Sequence, residues 1–487
     1  MSYFSSFSFR KNDFFFCKFI KLFVDLCKSK FHLSIATICL GATCIGLTIG
    51  WPEISSSFYI DIEYSNSTCC VKAEKIKWTT RLALKIGSCL GALLPVFFVD
   101  TCGRKSNFVT SAYFNLMSWF IFIFTDDNLF YLLGTAIGGL SAGTFAVTTA
   151  IYVTEITPPN TRSTVGTLVA FFAYSGIFFG TSLSVYIHNR LAPLIICLFT
   201  SGFIFSASLL MIESPFLLYQ HGKTLEAKIA LKKLRGVEKY LQVDEEFKVM
   251  AGFFKSKSQL SLQSSIYDDK YLPSAFVDIK SRQWIIWIMF ILFLTQLIGS
   301  YALEQFTTNF IENIFPYFGN MLLAFLDIIS IALFIYLANK IGRKRVIIIS
   351  ISGLSFSCFM FAIDTVFNKF DNKIFTANTR VFPFIIIFLY CCSYSLGITP
   401  VLPLMMEGAG DFSNRARSII IGLCISGLYL IAIVNQCLFE LLNFGNSPYS
   451  AFTIFTIIGS LGLLIVFIYL PVTSSEIDDA INDVIIF

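Results

Sequence analysis

Charged residues are scarce in this 487-residue chain. Asp, Glu, Lys and Arg make up 14% of it, whereas soluble domains carry about 25%. Hydrophobic residues account for 55% and aromatic residues for 16%, so the chain is too apolar to be disordered and too rich in large side chains to be collagen-like. The composition excludes these classes and a soluble globule, and it predicts a polytopic protein of the lipid bilayer.

Residues of the kind that metal sites and enzymes use are also few. The chain contains three His, at positions 32, 188 and 221, and their spacing forms neither a His-Glu-x-x-His motif nor a paired metal-ligand cluster. We therefore expect no enzyme activity, no cofactor and no metal. The net charge of +5 is small and dispersed between apolar blocks, so nucleic acid is not an expected partner.

Twelve apolar blocks are long enough to cross a membrane, which takes about 20 residues of helix. They are centred on residues 33–51, 80–99, 107–125, 129–152, 163–187, 191–212, 283–304, 318–338, 346–363, 381–406, 418–440 and 449–470. The sequence thus predicts an all-α membrane protein with twelve transmembrane helices.

Basic residues lie mainly on one side of these spans. The N-terminal tail carries six Lys and Arg against two Asp, so the positive-inside rule predicts cytoplasmic N- and C-termini, and we expect the plasma membrane as the location. The first outer loop is an exception with three Lys. Arg81 and Lys85 follow inside the second span, and snorkelling to the membrane surface is our only interpretation of them. Asn66, in an Asn-Ser-Thr motif, is a candidate glycosylation site of the same loop.

An internal repeat divides the spans into two groups of six. Gly-Arg-Lys follows span two at Gly103 and span eight at Gly342, and an acidic residue followed by Arg comes after span four and again after span ten. We expect two pseudo-symmetric six-helix bundles joined by a cytoplasmic helical linker whose charges have helical spacing. The predicted domains are a tail at 1–32, a first bundle at 33–212, the linker at 213–282, a second bundle at 283–471 and a short acidic tail at 472–487.

Seven short motifs are spread over the chain from about Gly41 to Pro471. They are Gly50-Trp-Pro52, Asp100 to Lys105, Tyr152 to Arg162, Glu213-Ser-Pro215 with Leu234-Arg-Gly236, Gln296-Leu-Ile-Gly299, Gly342-Arg-Lys344 and Met405-Met-Glu407. Together they resemble the sugar-porter branch of the major facilitator superfamily, and the first and last motifs are most similar to insect facilitated trehalose transporters. The resemblance implies carriage of a small polyhydroxyl solute, a hexose or trehalose, by facilitated diffusion.

The same resemblance implies a gate on the cytoplasmic side. Ion pairs between helix ends would form there in one state of the carrier and break in the other. We expect them where Glu155 and Arg162 lie beside Gly103, Arg104 and Lys105, and, in the second half, at Glu407 with Arg415 or Arg417. The candidate gate residues are Asp100, Gly103, Arg104, Lys105, Glu155, Arg162, Gly342, Arg343, Lys344, Glu407, Arg415 and Arg417. The alternative is that these charges only set the topology, which needs Lys and Arg but neither Glu.

Several positions that the resemblance assigns to sugar binding carry other side chains here. A Gln of span seven remains as Gln296, but the Gln of span five is Ala170 and the Asn of span eight is Asp327. An ionisable group at membrane depth is costly, so Asp327 is interpreted either as a substrate or proton site or as a packing contact between helices. The candidate substrate-binding residues are Thr295, Gln296, Tyr301, Asp327 and Tyr429.

Two further functions compete with a passive sugar carrier. One is a proton-coupled sugar or polyol symporter, and the other is a transporter-like sensor that binds solute without useful flux. Span one has no acidic residue between Phe31 and Pro52, where the proton-coupled members of the resembling family carry an Asp, so the resemblance favours the passive carrier over proton coupling. The predicted C-terminal tail is short, and a sensor would be favoured by a long one.

Overall fold

The computed structural model describes the chain in twelve stretches. They are residues 30–62, 68–124, 128–187, 191–236, 243–248, 250–252, 279–298, 319–341, 343–370, 381–398, 414–443 and 448–469.

Six long helices make up the first half of the protein. They are α1 (Lys30–Ile62), α2 (Thr68–Cys102), α3 (Arg104–Phe124), α4 (Asn128–Ile156), α5 (Pro159–Tyr186) and α6 (Leu191–Leu209). Each contains a stretch that is long and apolar enough to cross a membrane. The chain turns sharply between α4 and α5 at Pro158, and Pro159 starts the next helix, because the first turn of a helix needs no hydrogen bond from the N–H that proline lacks.

Two short helices, α7 (Pro215–Gln220) and α8 (Thr224–Arg235), follow α6. The last turn of α8 is basic, which complements the negative end of the helix dipole. The helix ends at Gly236, whose φ of +65° gives a left-handed cap.

The side chain of Arg235 docks α8 onto the first half. Its Nη1 donates to the carbonyl oxygen of Ile156 at 3.1 Å, and its guanidinium lies 5.6 Å from the ring centroid of Phe31. We call the membrane face where α7 and α8 lie the linker end, and the opposite face the far end.

Six further helices form the second half. They are α9 (Ile279–Leu297), α10 (Gly319–Ile341), α11 (Arg343–Phe370), α12 (Val381–Ile398), α13 (Asn414–Asn443) and α14 (Pro448–Tyr469). Apolar stretches of full membrane length lie in α11 and α13, and shorter ones lie in α9, α10, α12 and α14. With the six helices of the first half, they correspond to the twelve membrane helices predicted from the sequence.

The two halves repeat one packing pattern. In the first half α1 packs on α5, α2 on α4 and α3 on α6; in the second half α9 packs on α13, α10 on α12 and α11 on α14. Between the halves α2 packs on α13 and α5 on α10, which are equivalent pairs once each helix is matched to its counterpart. The fold is therefore a pair of pseudo-symmetric six-helix bundles.

Small residues allow the closest helix contacts. α2 and α4 cross at Gly87, Gly91, Gly139 and Gly143, where a methyl group would overlap backbone atoms of the facing helix. Such contacts are typical of membrane helices, whose association depends on close packing because lipid is as apolar as the side chains. This packing holds the ends of α2 and α4 in a fixed relation at the linker end.

Candidate functional site

A buried arginine organises the linker end of the first half. Arg104, the first residue of α3, is fully buried, and it donates to Glu155 of α4 from Nη2 to Oε1 at 2.7 Å and from Nε to Oε2 at 3.0 Å. Its Nη1 lies 3.0 Å from Oδ1 of Asp100 on α2. A buried charge is tolerated only when it is paired and hydrogen-bonded, so this fork fixes the ends of three helices together.

The same two carboxylates also contact the second half. Nη1 of Arg417 lies 3.5 Å from Oε1 of Glu155, and Oγ of Ser418 donates to Oδ1 of Asp100 at 3.2 Å. Both residues are buried near the start of α13. Asp100, Arg104, Glu155, Arg417 and Ser418 form what we call the linker-end network, which joins the two halves of the protein.

Gly103 and Glu213 shape the connection between α2 and α3. Gly103 has a φ of +101°, and a Cβ atom there would lie 2.5 Å from Oε2 of Glu213, so glycine is required. Oε1 of Glu213 accepts hydrogen bonds from the backbone N–H groups of Arg104 at 2.9 Å and Lys105 at 3.3 Å. The carboxylate thus caps the positive end of α3.

Neither Glu213 nor Ser418 is among the gate residues that the sequence suggested. Glu213 belongs to the Glu-Ser-Pro motif, and a conspicuous acidic residue at the end of an apolar span could have identified it. Ser418 carries no such signal, because hydroxyl residues are common throughout the membrane helices.

Glu155 and Arg162, two of the gate candidates, have different partners. Glu155 binds Arg104 and Arg417, whereas Nε of Arg162 donates to the carbonyl oxygen of Thr157 at 3.4 Å. Among the described contacts, the ion pairs of Glu155 are therefore with Arg104 and Arg417. The turn at Pro158 places Arg162 in the first turn of α5, where its side chain reaches back to the preceding backbone.

Other candidates lie outside the described residues. These are Asn66, Tyr301, Gly342 and Glu407, together with the side chains of Arg343, Lys344 and Arg415. The gate of the second half therefore stays a prediction, apart from Arg417.

Two candidate substrate residues lie next to each other on α9. Thr295 and Gln296 are both buried, and the hydroxyl of Thr295 donates to the carbonyl oxygen of Leu292 in its own helix at 2.8 Å. Nδ2 of Asn435 on α13 donates to the backbone oxygen of Gln296 at 2.6 Å. The position of this part of α9 is thus fixed by α13.

The remaining described candidates contact different helices. Asp327 on α10 accepts a hydrogen bond from Oγ of Ser395 on α12 at 2.5 Å, and this contact supports the packing interpretation of Asp327. Tyr429 is partly buried on α13 and its hydroxyl contacts Ser88 on α2. Gln296, Asp327 and Tyr429 are therefore each held by a different neighbouring helix.

The charge of Lys85 is bound inside the protein. Its Nζ donates to Oε1 of Gln436 on α13 at 3.0 Å, and Nε2 of Gln436 donates to the carbonyl oxygen of Trp78 at 3.0 Å. Lys85 therefore has a polar partner in the other half of the protein, which the snorkelling interpretation did not include. Lys85 is partly buried, and Arg81, one turn earlier, is buried.

Within the described stretches, no group of three or more His, Cys, Asp or Glu side chains is placed to hold a metal ion. The two acids of the linker-end network are bound by arginine. The chemistry that this arrangement offers is ion pairing between helices.

Comparison with known proteins identifies the family. A family model described as sugar (and other) transporter matches residues 22–483. The sugar transporter ERD6-like 16 of Arabidopsis thaliana is 27% identical over 401 residues, which cover 77% of this chain and 76% of the relative. The facilitated trehalose transporter Tret1 of Polypedilum vanderplanki is 22% identical over 389 residues, covering 78% of this chain and 73% of the relative.

The fold has solved counterparts too. A partially occluded, inward-open structure of the xylose transporter XylE from E. coli superposes with a TM-score of 0.68 at 14% identity, over 91% of this chain and 100% of that one. The motif resemblance, the duplicated bundles and the family match agree. The chain belongs to the sugar (and other) transporter family, and it is a membrane carrier of the major facilitator fold rather than an enzyme.

Proposed function

We propose that the protein carries a hexose or trehalose across the plasma membrane by facilitated diffusion. In carriers with duplicated bundles, the solute binds between the halves and the halves rock around it. The observation that carries the proposal is the linker-end network, because its contacts between Glu155 and Arg417 and between Asp100 and Ser418 exist only while the halves are together at that end. It has the form of a gate that closes one side of the solute pathway.

The linker end is proposed to face the cytoplasm. Support comes from the basic N-terminal tail and from the Lys and Arg residues of the loops on that side, which the positive-inside rule assigns to the cytoplasm. The proposed domains are the two tails, the two six-helix bundles and the linker, with the bounds expected from the sequence. Epitope tags at residue 5 and near residue 260 should react with antibody only after cells are permeabilised, and labelling of either tag on intact cells would contradict this orientation.

The substrate is proposed to bind at Gln296, with Thr295, Tyr301, Asp327 and Tyr429 as further contacts. An amide side chain both donates and accepts hydrogen bonds, so one Gln can serve two hydroxyl groups of a sugar. Its buried position and the support of its backbone by Asn435 favour a fixed geometry. The names of the relatives agree with a sugar substrate, since they are a sugar transporter and a facilitated trehalose transporter.

An uptake panel tests the function. The purified carrier in proteoliposomes should be offered radiolabelled trehalose, glucose, polyols and organic ions, with and without a pH gradient. We expect saturable uptake and counterflow of trehalose or a hexose, with no accumulation above equilibrium. Accumulation driven by a pH gradient would replace facilitated diffusion by proton coupling, and transport of organic ions alone would overturn the sugar assignment.

Gln296→Leu tests the site. The substitution leaves sugar hydroxyls without partners in a buried environment, and we expect the KM for the sugar to rise by about 10- to 100-fold. The matched control is Gln220→Leu, which makes the same chemical change at an exposed position of α7. An unchanged KM in Gln296→Leu would contradict the proposed site while leaving the carrier function standing.

A further inference from the structure

α2 and α13 contact each other at both ends. At the linker end Ser418 bonds Asp100, and towards the far end Gln436 bonds Lys85 and the backbone of Trp78. Lys85 and Asp100 are about 22 Å apart along α2 at the rise of an α-helix. A single helix pair thus holds the two halves together on both sides of the membrane.

The far-end contact involves a costly residue. Lys85 lies inside the span Ile76–Cys102, where a charged side chain is expensive and is typical of functional positions. Gln436 is fully buried, and both ends of its amide are used on α2. The contact is therefore a specific polar bond between the halves.

The residue before Gln436 on α13 contacts α9, the helix that carries the candidate substrate residues Thr295 and Gln296. Asn435 precedes Gln436 on α13 and donates to the backbone oxygen of Gln296 on α9. Two consecutive amides of α13 thus hold α9 with one side chain and α2 with the other. The residue that holds α9 and the partner of Lys85 are therefore adjacent on α13.

Alternating access requires the halves to separate at one end at a time. The bond between Lys85 and Gln436 must break when the far end opens and form again when it closes. We propose that Lys85 and Gln436 form a far-end clasp, in which Lys85 is a positioning residue that closes the carrier over its solute. The clasp rests on the proposed carrier function, and it acts in opposition to the linker-end network.

Hydrogen exchange of the purified full-length carrier in nanodiscs tests the clasp without any solute. In Lys85→Met and in Gln436→Leu, amides of α2 near residues 76–88 and of α13 near 430–441 should exchange about tenfold faster, since a hydrogen bond to a charged group is lost. Amides near residues 96–104 should keep their rates. The control is Lys233→Met, which removes a Lys at an exposed position of α8.

Two further variants guard against simple misfolding. Lys85→Arg keeps a donor and should restore wild-type exchange. The double variant Lys85→Met with Gln436→Leu should be no faster than Gln436→Leu alone, because that variant already removes the bond to Lys85 together with the bond to Trp78. Unchanged far-end exchange in both single variants, additive effects in the double variant, or the same change in Lys233→Met would overturn the clasp.

Transport kinetics supply an independent readout. Loss of the clasp favours the state open at the far end, so both KM and Vmax for solute entering from that side should fall together, and Lys85→Arg should restore both. A purely structural role would lower the amount of active carrier and therefore Vmax alone. If the wild-type carrier moves no sugar, the proposed function fails, whereas the exchange experiment still decides whether the clasp exists.

Discussion

Gly103 allows the tight turn between α2 and α3 and leaves room for the carboxylate of Glu213. Its left-handed φ lets the chain turn from α2 into α3 within one residue. The same turn brings the backbone N–H groups of Arg104 and Lys105 to the carboxylate of Glu213. Replacement by any other residue strains the turn and displaces this carboxylate.

Gly103→Ala is therefore expected to destabilise the carrier by about 3 kcal/mol, because the strained backbone and the lost carboxylate contacts both cost free energy. Gly222→Ala is the matched control, since Gly222 also has a positive φ, of +77°, but no atom lies within 4 Å of its added methyl group. It should cost about 1 kcal/mol from backbone strain alone. Thermal melts in detergent measure both, and equal losses would show that Glu213 does not matter.

Four residues of the linker-end network could be singled out from the sequence, but their partners could not. Asp100, Arg104, Glu155 and Arg417 stand out because charges are rare beside the apolar spans and recur in both halves. Which carboxylate meets which guanidinium depends on how α2, α4 and α13 converge, and spacing along the chain does not contain that information. Lys85 is the extreme case, because its partner Gln436 is 351 residues away.

At the scale of helices, the apolar blocks of the sequence predict the presence of each membrane helix better than the residues at which it begins and ends. The twelve apolar blocks correspond to twelve helices, since a membrane span must satisfy its backbone hydrogen bonds internally. α2 nevertheless begins at Thr68, well before the block centred on 80–99. Its first turns contain Lys residues, which are good helix formers but lower the hydropathy on which the prediction relied.

A variant at the contact between α10 and α12 distinguishes facilitated diffusion from proton-coupled transport. Asp327 accepts a hydrogen bond from Ser395, and Asp327→Asn preserves an acceptor oxygen for that bond while removing the titratable group. We expect normal counterflow and an unchanged pH dependence, because in a passive carrier this residue packs two helices.

Proton coupling predicts another outcome for Asp327→Asn. A symporter that must protonate this side chain would keep counterflow and lose accumulation driven by a pH gradient. Counterflow and pH-driven accumulation should be measured in the same proteoliposomes, with Ser395→Ala as a control that removes the hydrogen bond and keeps the carboxyl group.

At the scale of the whole molecule, we expect the linker-end network to stabilise the state that is closed at the linker end. Arg417→Gln weakens the contact between the halves, while Glu155 keeps its bonds to Arg104. We expect the population open at the linker end to rise about tenfold, since part of a buried ion pair is lost. Turnover should slow, and the carrier should remain folded.

Lys233→Gln is the control for Arg417→Gln, because it also replaces a basic residue by Gln, at an exposed position of α8. Hydrogen exchange near residues 96–104 and 417–424 should accelerate in Arg417→Gln and stay near wild type in Lys233→Gln. Equal behaviour of the two variants would mean that Arg417 only sets the topology.

The sharing of Glu155 between two arginines also bears on the free energy of separating the halves. Arg104 holds Asp100 and Glu155 within the first half, whereas Arg417 belongs to the second half. Separation of the halves at this end therefore pulls one positive charge away from a carboxylate that already has another partner. Because Arg104 remains beside Glu155, that carboxylate is not left buried and unpaired, so separation costs less electrostatic free energy than the loss of its sole ion pair would.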